Sequence, residues 1–314
     1  MRDILALQDR VATAIATGIR IKLTPEEQTQ FAHARPVRPE AHEVYLRGLH
    51  ELRRLTPEGI QKAIAYFQQA IALDSNDALA YSGLADAYLE QTTLFRAPLE
   101  VLPKAKAAAV RAIELDDTLA EAHASLGYVK LEFDWDWPGA EREYRRALEL
   151  NPNQARALSG EAFYFLTLHQ PDQALESLRR AEAVDPLAAG NQMSRAYLLF
   201  NARRYEQAIE AAKQSGDERD QALSYAELGR NQEAIAAADR ALQTPNIPMV
   251  LVQLASVYAK AGKPDKARAM LGNLEAQARQ RYVCGFNMAC VYSALGDKEK
   301  AFAWLEKAYL ARSD

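Results

Sequence analysis

Cysteine is nearly absent: the 314 residues hold two, Cys284 and Cys290. Six positions along one helix would set them about 9 Å apart, beyond disulfide reach, so no disulfide scaffold supports the fold. Long apolar runs are missing as well. No stretch approaches the roughly twenty apolar residues that a spanning helix requires, which excludes membrane insertion by such a segment. Nor is there an excess of basic charge. Lys and Arg total 38 against 42 Asp and Glu, for a net charge of −4. Such a chain has no general attraction to nucleic-acid phosphates or an anionic membrane surface, so direct nucleic-acid binding is not expected. Catalytic signatures are also lacking. The five histidines, at 33, 42, 50, 123 and 169, form no H-E-x-x-H and no zinc-type spacing with cysteine. G-x-S-x-G, Walker A and G-x-G-x-x-G sequences do not occur. The many carboxylates fall at the i, i+3 and i, i+4 spacings of solvated helix faces, as in Glu141 to Arg146. The chain therefore reads as a non-enzyme that takes no cofactor and no metal.

What the sequence does contain is a period of about 34 residues. Segments 70–76, 112–118, 147–153 and 181–187 each close a helical pattern with an acid or Asn followed by Pro, Ser or Asp. Ala63, Ala105, Ala140 and Ala174 stand upstream, each followed four positions on by Phe67, Ala109, Tyr144 or Leu178. The same run returns at Ala234, Ala267 and Ala301. Before each copy lies another helical pattern marked by Tyr, Leu and Gly, as at Tyr258 and Gly262 or Tyr292 and Gly296. Small residues at fixed spacing let two helices approach where one offers Ala or Gly to the other's ring.

These marks place pairs of helices beginning near 41, 78, 120, 155, 189, 215, 248 and 282. Four spacings fall within one residue of 34. Three do not: the first pair is expected to carry three extra residues before Thr56-Pro57, the second about eight at Thr92–Pro103, and the fifth is about eight short. The apolar residues of Thr92–Pro103 suggest a lid over a groove or a segment packed on the N-terminal helix. Residues 1–40 read as a helical cap and linker, with an amphipathic helix to about Leu23 and a capping box at Thr24 and Glu27; residues 41–314 are the array.

The helix pair, its small-residue register and its closing proline resemble the tetratricopeptide repeat. That likeness implies an all-α, right-handed superhelical solenoid of about eight pairs, stabilised along a line by repeat and interface terms. It also implies a concave surface lined by the first helices. Mapped onto this sequence, the inward positions include Tyr45, Asp86, Tyr128, Arg156, Phe163, Tyr197, Phe200 and Asn201. Aromatic rings with a few charges suit a peptide-binding surface, although rings there also serve to pack adjoining repeats. Tyr45 and Leu49, with Ser82 and Asp86, stand where co-chaperones of this family that grip a C-terminal carboxylate carry Lys and Asn, which argues against that clamp. Trp135 and Trp137 read as wedged between helix ends.

Asp3–Asp9, Leu23–Gln28, Tyr45–Gly48, Asp134–Gly139 and Tyr292–Asp314 further resemble the C-terminal half of bacterial signalling proteins. In those proteins a winged-helix domain, a Ser/Thr kinase or a cyclase precedes a TolB-like segment and a repeat array. The likeness implies either a cut-down relative that acts alone or a fragment whose output domain lies elsewhere. The leading expectation is a scaffold that binds a protein or peptide partner in its groove, in bacterial signalling or transcriptional regulation. Self-association as a homodimer through a terminal repeat is the alternative, and an RNA-binding helical repeat the remoter one. A cytoplasmic location is expected, or a periplasmic one within a membrane-anchored parent.

Overall fold

A computed structural model describes residues 38–94, 96–184, 195–244, 247–278 and 282–312. The expected N-terminal helix, the Thr24–Glu27 capping box and most of the linker lie outside them.

Local chemistry sets the helix ends. Thr56 starts a helix by accepting from the Gly59 N–H at 3.0 Å, with Pro57 as its first residue. Asp136, Asp217 and Asp297 do the same for the N–H groups of Gly139, Asp220 and Lys300 at 3.0, 3.0 and 3.1 Å. At the other end, Asp74, Asp116 and Asn151 leave their helices in extended backbone. Each accepts from the N–H two residues on, at 2.9 to 3.0 Å, which turns the chain into the next helix. The acid or Asn that closes the first three of the four early segments in the sequence is thus a turn former; the fourth, Asp185, lies outside the described residues.

Sixteen α-helices result among the described residues, in eight pairs. They are α1 (Pro39–Leu52) with α2 (Pro57–Leu73), α3 (Ala78–Leu94) with α4 (Pro98–Leu115), and α5 (Ala120–Val129) with α6 (Trp137–Leu150). Then come α7 (Ala155–Thr167) with α8 (Pro171–Val184), and α9 (Arg195–Asn201) with α10 (Tyr205–Ser215). The last three are α11 (Glu218–Glu227) with α12 (Asn231–Ala241), α13 (Pro248–Lys260) with α14 (Pro264–Ala278), and α15 (Gly285–Ala294) with α16 (Lys298–Leu310). Each second helix packs on its own first helix, and first helices meet one another along one side of the array. The result is an all-α solenoid, and that side is the one expected to be concave.

One packing motif sets the stacking. Phe67, fully buried on α2, lies between Gly48 of its own pair and Gly83 of the next. A methyl group added to either glycine would meet Phe67 Cε1 at 2.6 Å, closer than side chains tolerate. Tyr144 on α6 repeats the arrangement between Gly127 and Gly160. Where the second helix offers only Ala109, Ala212 or Ala238, the residue corresponding to Gly83 is Ser125, Asp220 or Gln253. Ring size on one pair is matched by vacancy on the next.

The turns keep a second register. Leu55, His169, Arg203, Gly229, Gly262 and Gly296 lie 14 residues past 41, 155, 189, 215, 248 and 282, and all have positive φ. Glycine accepts this conformation freely, whereas other residues lose about 1–2 kcal/mol in it. In the third pair the left-handed residue is Trp135, one position later. Lys130–Asp134 forms a π-helical turn there, which absorbs one extra residue and accounts for the spacing of 35 between 120 and 155.

Two irregularities differ from expectation. The three extra residues of the first pair follow Thr56 rather than precede it: the turn has normal length, and α2 begins one helical turn earlier relative to Ala63. The segment Thr92–Pro103 is not a lid. It lengthens the end of α3 and the start of α4, where Leu102 packs with Leu89, Ala105 and Val129. In the fifth pair, α10 runs into Ser215-Gly216-Asp217 as expected, with Gly216 at φ 73°.

Candidate functional site

The first helices α1, α3, α5, α7 and α9 carry the eight residues read from the sequence as lining the groove. Asp86 and Arg156 come together. The Arg156 Nε lies 3.5 Å from Asp86 Oδ1, and its Nη2 donates to Glu90 Oε1 at 2.9 Å. Ser125 Oγ also donates to Asp86 Oδ1. This network joins the second, third and fourth pairs, with side-chain exposures of 25% for Arg156, 21% for Asp86 and 11% for Glu90. Burial raises the Asp86 carboxyl above its ordinary range, against the lowering pull of Arg156 and Ser125, while Glu90 and Glu121 push it further up. Burial alone would weaken the charge on Arg156. The carboxylates of Asp86 and Glu90 outweigh it and hold the guanidinium firmly protonated.

Tyr45 borders this cluster. Its ring stacks on His42 at 5.7 Å and meets Phe67 at 5.8 Å, so it supports the first junction. Burial, then the charges of Asp86, Glu121 and Asp77, push its phenol well above the ordinary value. Tyr128 is half-buried against the Leu89 and Leu102 cluster. Phe163 and Tyr197 pair across the fourth and fifth repeats at 6.3 Å. Asn201 is exposed and donates to the Tyr197 carbonyl at 2.9 Å, and Phe200 turns toward Tyr205 on α10 at 5.6 Å. The expected inward residues therefore gather at two centres: a charged network with Tyr45 and Tyr128, and an aromatic pair around Phe163 and Tyr197.

Ser125 was missed in the sequence. Its signal is the small-residue position facing the preceding pair, where a hydroxyl replaces the Gly found at 83 and 160. Trp135 and Trp137 are not wedged between neighbouring helix ends: 42% and 44% of their surface is exposed. Cys284 precedes α15, Cys290 lies within it, and no disulfide joins them. Among the described residues no group of His, Cys, Asp or Glu could hold a metal, and no helix is long and apolar enough to cross a membrane.

Sequence profiles described as "Tetratricopeptide repeat" match residues 161–216 and 286–314. The helix pairs within those residues are tetratricopeptide repeats. A tetratricopeptide repeat protein from Parabacteroides merdae has the same fold, with a TM-score of 0.55 at 13% identity over 82% of this chain and 98% of that one. The "Small glutamine-rich tetratricopeptide repeat-containing protein 2" of Mycosarcoma maydis is 34% identical over 76 residues, 24% of this chain and 22% of that protein. The "Transcriptional regulator HilA" of Salmonella paratyphi A is 27% identical over 176 residues, 56% of this chain. The match spans only 31% of HilA. Tetratricopeptide proteins generally mediate protein–protein interaction, and the fold is typically a non-catalytic scaffold.

Replacing Arg156 by Met leaves two partly buried carboxylates without their cation and is expected to cost about 2–3 kcal/mol at neutral pH. With its pKa raised, Asp86 binds a proton more readily in the folded than in the unfolded chain, so its contribution to stability falls as pH rises. The deficit of Arg156→Met relative to the parent, measured by chemical denaturation, should therefore shrink as the pH is lowered toward about 5.

Proposed function

We propose that this repeat array is a non-catalytic docking scaffold whose concave face takes an extended or helical segment of a protein partner. The observation that carries this reading is the set of half-buried rings on the first helices α1, α5, α7 and α9, Tyr45, Tyr128, Phe163 and Tyr197, flanking the Asp86–Arg156–Glu90 network. Rings held partly buried by neighbouring repeats lose little further freedom when a ligand covers their remaining surface. Fixed charges between them set register and polarity for the incoming segment. The partial likeness to a transcriptional regulator supports a place in bacterial signalling or transcriptional control, with the array as the interacting arm and no nucleic-acid contact of its own.

A photo-crosslinking residue at Phe163 should capture a discrete protein, and the same residue at exposed Arg179 on α8 should not. Capture should be lost when Tyr128 and Tyr197 are changed to Ala with helical content retained. Undiminished capture in that variant would remove the concave face from the account.

Self-association is a second reading, favoured by the outward stripe of α16. Phe302, Leu305, Tyr309 and Leu310 are 71, 39, 65 and 66% exposed, whereas Phe67, Tyr144, Leu178 and Leu271, in the register of Leu305, are at most 3% exposed. Light scattering should then give a dimer mass that Leu305→Glu returns to a monomer. A monomer at high concentration in the parent would end this reading.

A further inference from the structure

The turn of the third pair is braced on several sides. Lys106 of α4 pairs with Asp134 at 2.6 Å, Lys130 of the π-helical turn pairs with Glu143 of α6 at 2.6 Å, and Asp136 caps α6. From this frame Trp135 projects in left-handed backbone, φ 57°, a conformation that a bulky residue keeps only where its surroundings fix it. Its indole meets the far end of the chain. The ring of Tyr309 on α16 lies 5.4 Å away, and the Arg312 guanidinium sits 3.8 Å from the indole centroid. Arg312 Nη1 also donates to the Phe133 carbonyl at 3.3 Å, a contact between residues 179 apart. Arg312 itself has φ 52°.

In a solenoid each pair leans on its neighbours, so small rotations between pairs accumulate into overall curvature. The Arg156–Asp86 link joins pairs two apart. The Trp135–Arg312 contact joins the third pair to the eighth and so fixes the curvature of everything between them. We propose that Trp135, Tyr309 and Arg312 form a clasp that closes the array on itself and sets the width of its concave face. The clasp is made to release. An aromatic pair and a cation over an indole are individually weak contacts. Trp135 and Tyr309 remain 42% and 65% exposed, so water competes for both rings throughout. Closed and open arrays then lie close in free energy, and a ligand that prefers one width shifts the balance by its differential affinity. The importance of that width for partner access rests on the docking role proposed above; the clasp itself does not.

Small-angle X-ray scattering of the full chain, with no partner present, tests the clasp separately from the docking role. Arg312→Ala and Tyr309→Ala break the contact from the α16 side, where Tyr309 is 65% exposed, and Trp135→Ala breaks it from the other. All three should increase the radius of gyration and lengthen the tail of the pair-distance distribution, with unchanged circular dichroism. Trp137→Ala, on the same turn, should leave the curve as in the parent. Scattering curves that coincide for the parent, Arg312→Ala and Tyr309→Ala would overturn the clasp.

Discussion

The first and third junctions of the array depend on a steric match between one ring and two missing side chains. Phe67 and Tyr144 occupy space that only glycine leaves open, on the helix before them and on the helix of the next pair. Hydrophobic burial draws helix pairs together without regard to register. The ring between two glycines is directional: sliding one pair along another by a single residue would set Phe67 or Tyr144 against a Cβ. Register along the array in turn decides which residues of the first helices reach the concave face.

That consequence is visible at Asp86 and Arg156. They sit on α3 and α7, 70 residues apart, and are joined because the intervening α5 is held in register by the packing on either side. Ser125 on α5 completes the network from the position where the preceding pair offers Ala109 rather than a ring. The space left by the smaller side chain is used by a hydroxyl that stabilises a partly buried carboxylate. Packing and polarity on this face therefore have one origin, the size of the residue at a single position of each second helix.

Much of this was legible in the sequence. Small residues at 48, 127 and 162, aromatics at 67 and 144 and turn formers at 74, 116 and 151 mark the helix pairs without any structure. What stayed hidden depends on direction. Gly83 and Gly160 stand two places earlier in their pairs than Gly48 and Gly127 in theirs, and their role appears only once the rings of Phe67 and Tyr144 are seen to cross into the next pair. Thr56-Pro57 correctly marks a helix start, yet a start signal does not say on which side of it three extra residues lie. The inward positions named Asp86 and Arg156 separately, but their pairing depends on curvature summed over two junctions. Contact between Trp135 and Arg312 depends on curvature summed over five, which no local pattern encodes.

The most direct measure of the central constraint is a double-mutant cycle on the first junction. Gly83→Ala alone is expected to destabilise the array to chemical denaturation by about 1–3 kcal/mol, because the new methyl group meets the Phe67 ring. In a Phe67→Leu background the same change should cost well under half as much, since the shorter side chain vacates that space. Equal costs in the two backgrounds would contradict the account, showing that the ring and the glycines do not set the stacking of the repeats.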